Sequence, residues 1–237
     1  KEIRSVISSL KPDDRVRYDY DLLESHYIDS QNCEVDDAAA LDTLGSEIRN
    51  REVLLVAPGK SSVDCKDKIS AYIAANHPVV IGINAILKGY AYDYLFLMSR
   101  VRYDYAKEAY PEIFKSLKKI LLSNVKTDAL KDELIVRYER AIKRGWEHFD
   151  NAVICILRLL DKLGVSNVTV AGFDAFSEKY NQSYGDPKLP TIHGVEDWDK
   201  LNNEIREIFL DIKQRTRGRM KISFLTESYF SGKSDSE

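Results

Sequence analysis

Cysteine is sparse in this chain: three residues, Cys33, Cys65 and Cys155, among 237. No two stand in C-x-x-C spacing, so neither a disulfide framework nor a zinc site is expected. Such usage fits a reducing, cytoplasmic compartment. Histidine is equally thin, and His26, His77, His148 and His193 share no spacing that would gather a metal. Long apolar runs are missing, since nothing approaches the roughly 18 residues of a membrane span, and no signal peptide is visible. Charge of one sign never accumulates. The 35 Lys and Arg against 38 Asp and Glu leave a formal charge of −3. With no basic run, a nucleic-acid partner is not expected.

What is present suffices for a full core. The hydrophobic share is 44%, ordinary for a globular protein. The length fits one large domain or two small ones. The chain opens on Lys1 rather than Met, which is read as the cut end of a fragment. Residues 1–30 combine a short helical spacing (Ile3, Val6, Ile7, Leu10) with a charged, tyrosine-rich stretch. They are expected to be an arm or linker from an upstream domain. Residues 31–230 are expected to form one α/β domain, and the polar residues 231–237 a disordered tail.

Within that domain apolar runs alternate with helical spacings. Strands are expected at Glu52–Ala57, Val79–Ile83, Tyr94–Met98, Lys119–Leu122, Leu134–Arg137, Asn167–Ala171 and Lys221–Leu225. Helices are expected over residues 34–49, Ser62–Asn76, Asn151–Leu163 and Leu201–Arg215. Strands that are apolar throughout belong to a sheet buried on both faces. The fold class is therefore α/β, a Rossmann-like open and mostly parallel sheet with helices on both faces.

Ligands of such sheets bind beyond the carboxyl ends of the strands. Those ends carry Pro58, Gly59, Lys60, Ser61 and Ser62 after the first strand and Asn84 after the second. Ser99 follows the third, Gly172 and Asp174 the sixth, and Thr226 and Ser228 the last. The strand–turn–helix junction at 58–62 offers backbone N–H groups and a lysine to an anion. It is not a Walker A loop, because Leu54 stands where that motif needs glycine. The plain alternative is a turn whose serine caps a helix, as Ser61-Ser62-Val63-Asp64 would allow. Asn84 is read as contacting base or ribose, or else as capping a turn. Asp174 is the one catalytic candidate, to hold a hydroxyl, coordinate a metal or act as a base, or else it only caps the next helix. Arg100 and Arg102 are more simply exposed side chains than phosphate ligands. Residues 184–198, containing His193, are read as a possible lid over this edge. No metal ligand set is assigned, and homo-oligomerisation is left open.

Several of these segments look alike to known ones. Val53-Leu54-Leu55-Val56-Ala57-Pro58-Gly59-Lys60-Ser61, Ile81-Gly82-Ile83-Asn84 and Asp93-Tyr94-Leu95-Phe96 resemble a domain C-terminal to DRE-type TIM-barrel aldolases of the hydroxy-oxovalerate aldolase and HMG-CoA lyase superfamily. Phe149-Asp150-Asn151, Val170-Ala171-Gly172-Phe173-Asp174 and Ile222-Ser223-Phe224-Leu225-Thr226-Glu227-Ser228-Tyr229 resemble its later landmarks. The resemblance implies an upstream aldolase domain as partner and a role in surface glycan or sugar-acid synthesis, with the lyase chemistry outside this chain. A more distant similarity, carried by the Pro-Gly-Lys-Ser loop, Asn84 and Gly172-Phe173-Asp174, is to CMP-sialic-acid-dependent sialyltransferases and pterin diphosphokinase-like proteins. It implies that Gly59, Ser61, Asn84 and Asp174 face a nucleotide or nucleotide-sugar. The expected function is accordingly a nucleotide-binding domain with possible group-transferase activity. The alternatives are a structural, oligomerising module of the aldolase and a diphosphokinase-like enzyme.

Overall fold

The computed structural model describes residues 35–125, 133–177, 184–190 and 197–231. The strands are β1 (Val53–Val56), β2 (Val79–Ile83), β3 (Tyr94–Leu97), β4 (Lys118–Leu122), β5 (Glu133–Val136), β6 (Asn167–Ala171) and β7 (Lys221–Phe224). They form one sheet in the order β5-β4-β3-β2-β1-β6-β7, parallel at every pairing. The expected Rossmann-like open sheet is therefore the fold.

Alternation along the strands sorts side chains into two layers. Val53 and Leu55, Val79 and Ile81, Tyr94 and Phe96, and Ile120 and Leu122 point to one face. There they pack against α1 (Ala38–Ile48), α6 (Ala152–Lys162) and α7 (Trp198–Arg215). On the opposite face Leu54, Val56 and Val80 meet α3 (Lys66–Asn76), which follows the short helix α2 (Ser61–Asp64). Leu95, Leu97 and Leu121 meet α4 (Arg100–Ala109) and α5 (Pro111–Ser116) on that same face. Among the described residues no helix is long and apolar enough to cross a membrane.

Two differences from the expected elements have local causes. The helix expected over Ser62–Asn76 is two helices, because Cys65 leaves the helical region at φ −102°, ψ 24°. The first turn is tied to the end of β6, as described below, while the second follows its own apolar face, Ile69, Tyr72 and Ile73. Helices α4 and α5 were not expected at all. Their packing side is a few residues, chiefly Tyr103, Ala106 and Phe114, with the Tyr103 and Phe114 rings edge to face at 5.1 Å. The expected arm at 1–30, the tail beyond Ser231 and His193 lie outside the described residues.

Candidate functional site at the order reversal of the sheet

The chain builds the sheet outward from β1 to β5, then returns to place β6 on the other flank of β1. Helix α3, after β1, lies on one face, and α7, after β6, lies on the other. The carboxyl edge between β1 and β6 is the place where sheets of this type commonly open a crevice; here the two loops that leave it stay joined to each other.

Pairing continues past the strands. The Ala57 N–H donates to the Ala171 carbonyl at 2.8 Å, and the Gly59 N–H to the Gly172 carbonyl at 2.9 Å. This approach needs glycine on both sides. A Cβ on Gly59 would lie 2.3 Å from the Gly172 oxygen and 2.6 Å from Asp174 Cγ. A Cβ on Gly172, whose φ is +74°, would lie 2.3 Å from the Ala57 oxygen.

Asp174 closes the junction. Its Oδ2 accepts the Ser61 N–H at 2.8 Å, and its Oδ1 lies 2.5 Å from Ser61 Oγ. Ser61 Oγ also lies 3.0 Å from Thr226 Oγ1, which accepts the Gly172 N–H at 2.9 Å. One serine proton serves one acceptor, and the carboxylate is the stronger. Protons therefore run in one direction, from the Gly172 N–H to Thr226, from the Thr226 hydroxyl to Ser61, and from Ser61 to Asp174. Ser228 Oγ donates to the Phe173 carbonyl at 2.5 Å and fixes the same turn from β7. Gly59, Ser61, Gly172, Asp174, Thr226 and Ser228 are thus brought together by three strand ends.

Most loop donors are committed within this cluster. Of the N–H groups at 59–62, Gly59 serves Gly172, Ser61 serves Asp174 and Ser62 serves the Gly59 carbonyl at 3.1 Å. Ser62 is fully buried, with its hydroxyl on the Gly59 carbonyl at 2.6 Å. The Lys60 N–H and ammonium group, by contrast, make no hydrogen bond or ion pair among the described residues, and Lys60 is exposed. Asp174 has used two of about four acceptor directions of its carboxylate, which leaves capacity for donors from outside.

Asn84 and Ser99 are placed differently. The register Val56↔Gly82 sets Asn84 level with Pro58 on the neighbouring strand. Its φ is +52°, its N–H donates to the Phe96 carbonyl at 2.8 Å, and its Oδ1 accepts the Met98 N–H at 3.1 Å. The side-chain amide N–H₂ makes no hydrogen bond among the described residues. Ser99 caps α4 through the Arg102 N–H at 3.4 Å. Arg100 is paired with Asp104 one turn on, and Arg102 is buried with its guanidinium 4.9 Å from the Tyr184 ring centre.

Residues 184–190, part of the segment read as a lid, press onto this edge. Tyr184 bridges Gly59, and the Gly185 N–H donates to the Pro58 carbonyl at 2.8 Å. Asp186 anchors the other end, accepting the hydroxyls of Tyr105 at 2.8 Å and Tyr110 at 2.9 Å. Burial alone would raise the Asp186 carboxyl. The two phenols and the Lys188 N–H and ammonium outweigh it and hold the group below the ordinary aspartate value. Both phenols are pushed up in turn, by burial first and then by this carboxylate. Composition gave no sign of this clamp, because Tyr105 and Tyr110 lie where no element was expected and Asp186 lies in a loop 81 and 76 positions further on.

Among the described residues no three His, Cys, Asp or Glu side chains converge as a metal would require. The chain matches no protein-family model, no curated protein and no solved structure.

Proposed function

We propose that the carboxyl edge around β1 and β6 binds a nucleotide or nucleotide-sugar. One observation carries the reading: at the order reversal of the sheet, Asp174, with two acceptor directions used, lies next to the Ser61 turn that carries Lys60, whose ammonium makes no ion pair among the described residues. Sugar or ribose hydroxyls donate to Asp174, and phosphate oxygens accept from the Lys60 ammonium. The free amide N–H₂ of Asn84 offers donors only, which selects a carbonyl-bearing base edge. Phosphate does not stack on the Ser61 N–H in this scheme, because Asp174 already holds it. Group transfer from such a donor, with Asp174 orienting the acceptor hydroxyl, is the chemistry this arrangement suits. Association with an aldolase and service in glycan synthesis rest on the resemblance of the strand-end motifs.

A second reading has its own support. The Gly172–Thr226–Ser61–Asp174 chain and the Tyr184 bridge satisfy much of the edge internally, as a purely structural module would. Calorimetry against CMP, UDP, GDP and their sugar conjugates separates the two. The binding reading expects saturable heat with at least one of them, weakened about tenfold or more by Lys60→Ala, the loss of a charge-assisted bond. Absence of heat across the whole series at millimolar concentration would leave the structural module standing.

A further inference from the structure

At the opposite edge of the sheet, where α6 and α7 end, a cavity of about 180 Å³ lies between these two helices and the residues after β5. Five cationic side chains line it, Arg140, Lys143, Arg158, Lys162 and Arg215, against two carboxylates, Asp161 and Asp211. The excess is notable in a chain of net charge −3.

Pairing leaves two of the cations over. Asp211 takes both Lys143 at 2.8 Å and Arg215 at 2.9 Å. Asp161 takes Arg219 at 3.0 Å, and Arg140 turns away to grip Asp37 with two nitrogens, at 2.5 and 2.9 Å. Among the described residues Arg158 and Lys162 form no ion pair, although Asp211 and Asp161 respectively lie near enough to act on them. Both terminal nitrogens of Arg158 are shielded from solvent and meet no acceptor among the described residues. A guanidinium in that position is costly, since buried donors are almost always satisfied.

Helix ends explain part of the cluster only. Lys162 and Arg215 lie in the last turns of α6 and α7, where the helix dipole favours positive charge. Arg158 sits a full turn further in, so the dipole gives it little. Both side chains titrate below their ordinary values. Burial first, then Arg140 and Arg158, pull Lys162 below the ordinary lysine value, and burial pulls Arg158 down as well.

We propose that this cavity is a binding site for a small tetrahedral oxyanion, inorganic phosphate or the phosphate end of a small metabolite, with the half-buried Arg158 as its donor and Lys162 at its rim. The planar fork of Arg158 offers two parallel N–H groups, the geometry that suits phosphate oxygens. Because the Arg158 nitrogens are covered in this conformation, the ion reaches them only when neighbouring side chains shift, and Lys162 and Arg215 at the rim are exposed. The volume holds a phosphate group with a small organic remainder. The site is distant in the fold from the Asp174 edge and does not depend on the nucleotide reading.

Thermal unfolding in inorganic phosphate, against chloride at equal ionic strength, tests the proposal, since a ligand of the native state raises Tm in proportion to its occupancy. Wild type is expected to rise in phosphate beyond the chloride control. Arg158→Leu, which replaces an unsatisfied half-buried cation with a hydrophobe, is expected to unfold no lower than wild type and to lose the phosphate response. A response in Arg158→Leu equal to that of wild type, or none in wild type, would overturn the site. Should that variant fail to fold, Lys162→Gln at the rim serves in its place, with phosphate affinity by calorimetry expected to fall at least threefold. Unchanged affinity there would count against the proposal equally. A sugar phosphate in parallel distinguishes the sources: tighter binding than inorganic phosphate points to a metabolite, and equal binding to the free ion.

Discussion

Asp174 holds Ser61 by both carboxylate oxygens, one on the backbone N–H at 2.8 Å and one on the hydroxyl at 2.5 Å. The pair fastens the loop after β1 to the loop after β6, and its partner Thr226 adds the end of β7. Asp174→Asn keeps one acceptor oxygen but puts an N–H₂ group against a donor. Stability is expected to fall by about 1–2 kcal/mol, read from the urea midpoint at constant slope. An unchanged midpoint would mean that the three strand ends hold together without the carboxylate.

The glycine crossing is less forgiving. Gly172→Ala adds a Cβ 2.3 Å from a backbone oxygen at a φ of +74°, so neither neighbour nor chain can yield cheaply. A loss of about 3 kcal/mol or more is expected. Gly145→Ala is the natural control. Its φ is +111° but nothing lies within 4 Å of the added carbon, so it bears backbone strain alone. It is expected to cost about 1–2 kcal/mol. Equal losses in the two variants would show that strain, not the contact, governs Gly172.

The 184–190 clamp is a dynamic matter. Tyr105→Phe leaves Asp186 with Tyr110 as its single phenol. One lost hydrogen bond of about 1 kcal/mol corresponds to roughly fivefold faster exchange of amides released by local opening. The reporter is the Gly185 N–H, bonded to the Pro58 carbonyl at 2.8 Å. Exchange at Ile81 in the central strand is expected to stay unchanged; if both sites accelerate alike, the segment opens only with the whole domain.

Acid sensitivity has an assignable source in Asp37. Burial would raise its carboxyl, but the Arg140 guanidinium and the Arg137 N–H reverse that and hold it below the ordinary value. A folded-state value below the unfolded one means stability present above the unfolded aspartate pKa, about 3.9, and lost as pH falls through the folded value. Asp186 and Asp211 are lowered too and add to the same limb. Asp37→Asn is therefore expected to destabilise at neutral pH and to flatten the fall in stability below about pH 4. A variant with an acid limb as steep as that of wild type would point elsewhere.

Much of the fold was legible in the sequence. Val79–Ile83 and Asn167–Ala171 form strands with the bounds their apolar runs imply, and the other five lie within a residue or two at either end. Burial on both faces makes such runs continuous, and the helix expected to stop at Leu163 is followed by Gly164 at φ +78°. Helices α4 and α5 escaped because Arg102, Tyr103 and Tyr105 read as charge and tyrosine, not as an apolar stripe. Strand ends located Gly59, Ser61, Gly172, Asp174 and Thr226, and these five do converge. What spacing could not supply was their pairing. Asp174 answers a serine more than a hundred positions away, and only the register of β1 against β6 sets that distance.

The return from β5 to β6 carries a consequence for how the molecule comes into being. Strands β1 to β5 each join a neighbour just finished, whereas β6 must find β1 after the intervening chain has been laid down. Non-local pairings of this kind are slow to form. Among the strand pairings this one spans the most chain, and the junction between the loops at 58–62 and 172–174 cannot exist until β6 has paired with β1.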